Sequence, residues 1–85
     1  MPEEIDGAKI IKRTCPGSFG YVEWESGEEK EIKVLAICNY DDQEECYLFA
    51  CDEQFNVLGD TLHASINEAM EAALQLYEQE KIEWL

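Results

Sequence analysis

The sequence predicts an α+β fold, with a four- or five-stranded antiparallel sheet (a meander) and one C-terminal amphipathic helix packed on one face. Three observations predict it. Two apolar runs, Val34-Leu35-Ala36-Ile37-Cys38 and Tyr47-Leu48-Phe49-Ala50-Cys51, have strand length and strand composition. Turn-forming clusters separate the strand-like runs by only a few residues. Such spacing suits antiparallel pairing, because parallel strands need long crossovers. Finally, a helical period begins at Ser65. At 85 residues the chain, 1–85, reads as one domain. A domain of this size buries roughly 60–65% of the surface its unfolded form exposes, so its core is small.

Residues 1–7 hold no apolar pattern and are expected to fray. Ala8 to Thr14 sets Ile10-Ile11 among Lys9, Lys12 and Arg13, and reads as a first strand with a basic outer face. Cys15-Pro16-Gly17-Ser18 is a turn, since Pro fixes φ and Gly permits positive φ. Phe19 to Glu25 reads as a second strand, and Ser26-Gly27-Glu28-Glu29 as a second turn. Ile32 to Tyr40 is the strongest strand. One parity carries Ile32, Val34, Ala36, Cys38 and Tyr40, and the other carries Lys33, Leu35, Ile37 and Asn39. A charged loop from Asp41 to Glu45 leads into the strand Cys46–Cys51, apolar on both faces. A shorter strand, Phe55 to about Leu62, is weakened by Gly59. The sheet is thus expected over about 8–62.

Ser65 followed by Glu68 is the capping-box spacing. Over about 66–80, at about 100° per residue, Ile66, Ala69, Met70, Ala73, Leu74, Leu76 and Tyr77 share one arc. The register fails near Gln79 or Glu80, so Ile82-Glu83-Trp84-Leu85 is expected to leave the helix and pack separately. A docking peptide is the less favoured reading of that tail.

One helix covers one face of a small sheet. Leu35, Ile37 and one parity of Tyr47–Ala50 then need a second cover. The N-terminal strands, Trp84-Leu85, or a partner subunit in a homodimer through the second sheet face would each supply it.

The candidate chemistry is sparse. Cys38, Cys46 and Cys51 lie in strand-like runs, where a thiol behaves as a small hydrophobe. Buried structural thiols are favoured over a disulfide or a metal site. Cys46 and Cys51 approach a zinc spacing but have opposite strand parity, so they cannot share an ion without a bulge between them. Asp52-x-Gln54-x-Asn56 puts Val57 where a calcium loop needs Gly. His63 could pair with Cys38 or Cys51, oriented by Asp60, as a thiol/His enzyme. A half-exposed His63 at a strand exit is the simpler account. No phosphate loop is present, and no cofactor is expected.

Charge is the feature that bears on function. Twenty Asp and Glu face six Lys and Arg, a net charge of −14. Residues 1–33 hold five of the six basic residues and eight acids, whereas residues 34–85 hold Lys81 against twelve acids. Polyanions such as nucleic acid and anionic membrane surfaces are repelled by such a chain. The first residues lack a basic and apolar signal sequence, and no apolar run nears the ~20 residues that cross a bilayer. A cytoplasmic location is therefore expected. The acidic positions expected to meet a partner are Asp41, Asp42, Glu44, Glu45, Asp52, Glu53, Glu71 and Glu78.

The stretch Tyr47–Glu53, Asn56-Val57-Leu58, Asp60-Thr61-Leu62-His63, Ser65 and Glu68-Ala69 resembles small bacterial domains in which a hairpin feeds an amphipathic helix. Some of these are similar to toxin-immunity proteins, which neutralise cationic targets. The resemblance covers roughly residues 45–80 and transfers no functional residue. Charge and resemblance lead to one expectation: a small acidic non-enzymatic module that binds, and inhibits or neutralises, a basic protein. The alternatives are a homo-oligomeric structural domain and, less favoured, the thiol/His enzyme.

Uncompensated acid on a folded surface repels itself. Raising salt from 0.01 M to 0.15 M shortens the Debye length from ~30 Å to ~8 Å. The melting temperature is expected to rise across that range, as followed by circular dichroism. A fall or no change would show that the acids are not strained against one another.

Overall fold

The computed structural model describes residues 3–41 and 43–85. Along the chain lie β1 (Glu4–Ile5), β2 (Ala8–Arg13), β3 (Tyr21–Glu23), β4 (Glu29–Glu31), β5 (Val34–Asn39), β6 (Cys46–Cys51), β7 (Val57–His63) and α1 (Ile66–Leu76). A five-stranded sheet has the order β1-β2-β5-β6-β7, antiparallel throughout, and β3-β4 form a separate two-stranded sheet. The α+β class and the sheet-plus-helix architecture are those the sequence predicts.

The path differs from a simple meander at three places. The first is the N-terminus, expected to fray over 1–7. Glu4–Ile5 instead pair with β2, and Ile5 is buried. Asp6 and Gly7 both have positive φ, 51° and 82°, the backbone of a two-residue hairpin turn. Asp-Gly is a strong sequence signal for that turn. The Tyr40 hydroxyl donates to the Asp6 carbonyl at 2.8 Å and ties the hairpin to the end of β5.

The second is the segment read as a strand from Phe19 to Glu25. Only Tyr21–Glu23 are strand, and they pair with Glu29–Glu31, not with the main sheet. Both strands of this hairpin are too polar for a central position. Phe19 and Val22 alone anchor it on the helix-side core. The third is Ile32, which has the parity of Val34 yet joins Leu35 and Ile37 in the opposite core. The pleat starts at Val34, so alternation does not carry back to residue 32.

Each face of the β5–β6 pair has its own core. Ile32, Leu35, Ile37, Cys46, Leu48 and Ala50 meet Ala69 and Ala73 of the helix. Val34, Ala36, Cys38, Phe49 and Cys51 meet Ile5 and Ala8 on the other face, with Phe55 and Val57 at its margin. The N-terminal hairpin and the curl of the sheet thus cover the second face within one chain. Ordinary strand alternation lets adjacent isoleucines serve opposite cores, Ile10 on the second and Ile11 on the helix side, and the irregular register after Ile10 sets Lys12 opposite Ile37 instead of on the face of Ile10.

The helix begins as its sequence predicts. Ser65 Oγ accepts from the Glu68 N–H at 3.2 Å, and Glu68 Oε2 accepts from the Ala64 N–H at 3.2 Å. It ends at Leu76, short of the expected 80. The tail then crosses the helix-side face, where Ile82 and Trp84 pack. Leu85 exchanges two backbone hydrogen bonds with Arg13, at 2.8 and 3.3 Å, on the edge of β2. Val57–His63 form the open edge strand, which starts two residues later and ends one later than the expected Phe55–Leu62.

Thr14 holds the point where β2 leaves the sheet. It is 2% exposed, its N–H donates to the Leu35 carbonyl at 2.9 Å, and its Oγ1 accepts from the Leu35 N–H at 3.1 Å. Thr14→Val keeps the shape but leaves that buried N–H unpaired. The expected loss is about 1–3 kcal/mol of unfolding free energy, read from denaturant titration. A loss within a few tenths would show that water or a backbone shift replaces the bond.

Candidate functional site

The acidic positions singled out in the sequence do not converge. Asp41, Glu44 and Glu45 are exposed in the β5–β6 loop, and Asp42 lies outside the described residues. Asp52 and Glu53 lie at the β6–β7 turn, beyond the other end of β6. Six strand residues separate the two groups by about 20 Å. Glu71 is exposed midway along α1, and Glu78 follows its C-terminus. The β3-β4 hairpin adds Glu23, Glu25, Glu28 and Glu29, all exposed, so acid reaches the half of the chain that holds most of the basic residues.

Asp52 has a local task. Its carboxylate accepts from the N–H groups of Gln54 and Asn56, both at 2.9 Å, and from Asn56 Nδ2 at 3.0 Å. Partial desolvation pushes its pKa up, but the Asn56 side chain and the two backbone donors outweigh that and hold it below its ordinary value. The oxygens a calcium loop would need are therefore engaged in a turn. Among the described residues no three His, Cys, Asp or Glu side chains converge as a metal-binding set.

The imagined His63 pairings are not formed. Cys38 and Cys51 lie in the second core, whereas His63 is opposite Cys46 on the other parity of the sheet. Asp60 also has the wrong parity to orient His63, whose Nε2 lies 2.7 Å from Thr61 Oγ1 instead. Cys46 is fully buried and donates to the Glu44 carbonyl at 3.3 Å. Burial pushes all three buried thiols up, and Cys38 and Cys51 reach about 12. They are protonated at neutral pH, and the thiolate is the nucleophilic form.

A cleft of about 620 Å³ lies between the β3-β4 hairpin, β7 and the end of α1. Its floor includes Ala50 and Gly59, a directly opposed cross-strand pair. Phe19, Tyr21, Val22, Leu76 and Tyr77 wall it, with Asp60 and Glu78 also lining it. Gly59 sits inside a strand, which costs roughly 0.5–1 kcal/mol relative to Ala. Neither strain nor crowding requires it: its φ is not positive, and a Cβ there would meet open space. Leu76 belongs to the apolar arc of the helix, yet it is 52% exposed. It looks onto the gap that Gly59 leaves unfilled.

Glu78 is placed there by the helix ending. The Gln79 N–H donates to the Leu74 carbonyl at 2.9 Å and the Glu78 N–H to the Gln75 carbonyl at 3.4 Å. This pattern puts Glu78 in the left-handed region, φ 50°, where Gly is usual. A residue with a Cβ costs about 1–2 kcal/mol in that conformation. Its carboxylate also faces the negative end of the helix dipole, and no basic residue lies in the last turn. Neither Gly59 nor Glu78 is the residue that stability alone would select. The cleft escaped sequence reading because its walls come from three separate segments; an unforced glycine in a strand was the one signal available.

In the native protein, thiol reagents are expected to modify exposed Cys15 and to spare Cys38, Cys46 and Cys51 until unfolding. The same burial makes stability pH-dependent. The ordinary thiol value is 9.0, and Cys38 and Cys51 titrate near 12 in the fold. The unfolded chain therefore releases these protons first. Stability is complete below about pH 9 and falls as pH rises toward 12. Urea titrations in that window are expected to show a shallower fall for the Cys38→Ala/Cys51→Ala variant. Equal slopes would show that these thiols do not carry the effect.

No helix among the described residues is long and apolar enough to cross a membrane. No protein-family model, no curated protein and no solved structure matches the chain.

Proposed function

We propose that this protein is a non-enzymatic module that binds a basic protein through its acidic surface and so inhibits or neutralises it. One observation carries the reading. Against twenty acids in the sequence, the described residues form only three ion pairs, Lys30–Glu28, Lys33–Glu31 and Lys81–Glu83. Each joins residues two apart, so none links distant parts of the fold. Apart from Asp52 and Glu68, which accept local hydrogen bonds, most other exposed carboxylates among the described residues face solvent without an ion-pair partner. Complementary charge of this kind speeds encounter and rejects partners of the wrong sign. The resemblance of residues 45–80 to small bacterial domains, some of them similar to toxin-immunity proteins, agrees with the reading. The buried, protonated thiols favour it over a thiol/His enzyme. A homodimer through the second sheet face draws less support, because Val34, Ala36, Cys38 and Cys51 are fully buried within one chain.

Affinity capture from a source lysate tests this reading at low and high salt. A single basic protein is expected, bound saturably at low salt and released at high salt. Polyglutamate of similar charge should not capture the same protein. Recovery of nothing, or equal recovery on polyglutamate, would overturn the reading.

A further inference from the structure

The cleft over Ala50 and Gly59 combines aromatic and apolar walls with polar groups, the Glu78 carboxylate among them. At about 620 Å³ it lies within the range of ordinary ligand pockets. Its aromatic lining comes from Phe19, Tyr21 and Tyr77, and Tyr21 is 64% exposed. Glu78 is exposed, Asp60 borders the cleft with its side chain on the parity of the other sheet face, and no Lys, Arg or His lines the cleft. Two features keep it open: glycine where a larger side chain would fit, and Leu76 held out over the gap. A glycine inside a strand often marks close approach by another group.

We propose that this cleft receives a long cationic side chain, arginine or lysine, presented by the basic protein partner. The proposal rests on the function proposed above and gives that partner's anchor a location. The methylene stem of such a side chain would lie on the Ala50–Gly59 floor while its charged head stays at the polar margin, as these side chains do elsewhere. The aromatic rings attract the cation, and Glu78 supplies the opposite charge. An apolar anchor would leave the Glu78 carboxylate without a partner. A second copy of the chain is disfavoured by repulsion between two molecules of net charge −14. Arginine is also among the residues that most often dominate protein interfaces.

The test uses a short arginine–glycine peptide, its citrulline counterpart and the ¹⁵N-labelled full chain. Citrulline keeps the size of arginine and removes the charge. The arginine peptide is expected to shift the amide signals of Ala50, Gly59, Asp60, Tyr77 and Glu78 saturably. The citrulline peptide should bind about tenfold more weakly or worse, about 1.4 kcal/mol. Gly59→Val should abolish the shifts yet melt no lower than the parent, since a Cβ meets nothing there and a β-branched residue suits a strand. The Glu78→Gln variant keeps the cleft shape and should also bind about tenfold more weakly. Shifts confined to Asp41, Glu44 and Glu45 would overturn the cleft while leaving an acidic binding surface in place. Binding unchanged in folded Gly59→Val, or an equally tight citrulline peptide, would overturn it too. No binding of any basic peptide, together with no partner captured, would remove both readings.

Discussion

The fold depends on one strand pair that is apolar on both faces. β5 and β6 place Leu35, Ile37, Leu48 and Ala50 on one side and Val34, Ala36, Cys38, Phe49 and Cys51 on the other. A sheet buried on both sides needs two covers, and an 85-residue chain has little with which to make them. The chain meets this demand asymmetrically. The helix, the C-terminal tail and the β3-β4 hairpin share the first face. Curl of the sheet and a short N-terminal hairpin close the second. The helix contributes only Ala69 and Ala73 as fully buried residues, which lets it sit close to the sheet.

Charge plays little part in holding these layers together. The three ion pairs are local and at least partly exposed, and such pairs typically contribute about 0–1 kcal/mol each. The uncompensated carboxylates oppose compaction instead. The fold tolerates them at loops, on the outer face of α1 and along the polar hairpin, where water screens them. An acidic surface on a small apolar core is thus an addition to the fold and not a requirement of it. That separation is the ground for linking the acid to recognition.

The cleft joins these two themes. It occurs where the helix-side cover is incomplete, between the hairpin and the end of α1. Leu48 and Leu35 fill the centre of that face, whereas Ala50 and Gly59 leave its margin shallow. The left-handed ending at Glu78 turns the chain beside the same margin. A carboxylate, an exposed Leu76 and two tyrosines consequently surround a space that simple packing would have filled.

Much of the architecture was legible in the sequence because it is local. Alternation in Val34–Asn39 and Cys46–Cys51 determined the two faces and set Cys46 opposite to Cys51. Ser65 and Glu68 marked the helix start. Asp6-Gly7 carried its turn signal as well, although short polar neighbours hid the hairpin. Other features rest on contacts between distant residues, and no local spacing encodes those. Tertiary structure alone decided which face the helix covers, that residues 21–31 leave the main sheet, and that Ile32 crosses to the helix side. The separation of Asp41, Glu44 and Glu45 from Asp52 and Glu53 was, by contrast, implicit in the strand predicted between them. The sequence by itself determined the fold class and the charge. Only the folded chain brought Phe19, Gly59 and Glu78 to one cleft, because segments some forty and twenty residues apart meet solely through strand pairing and helix packing.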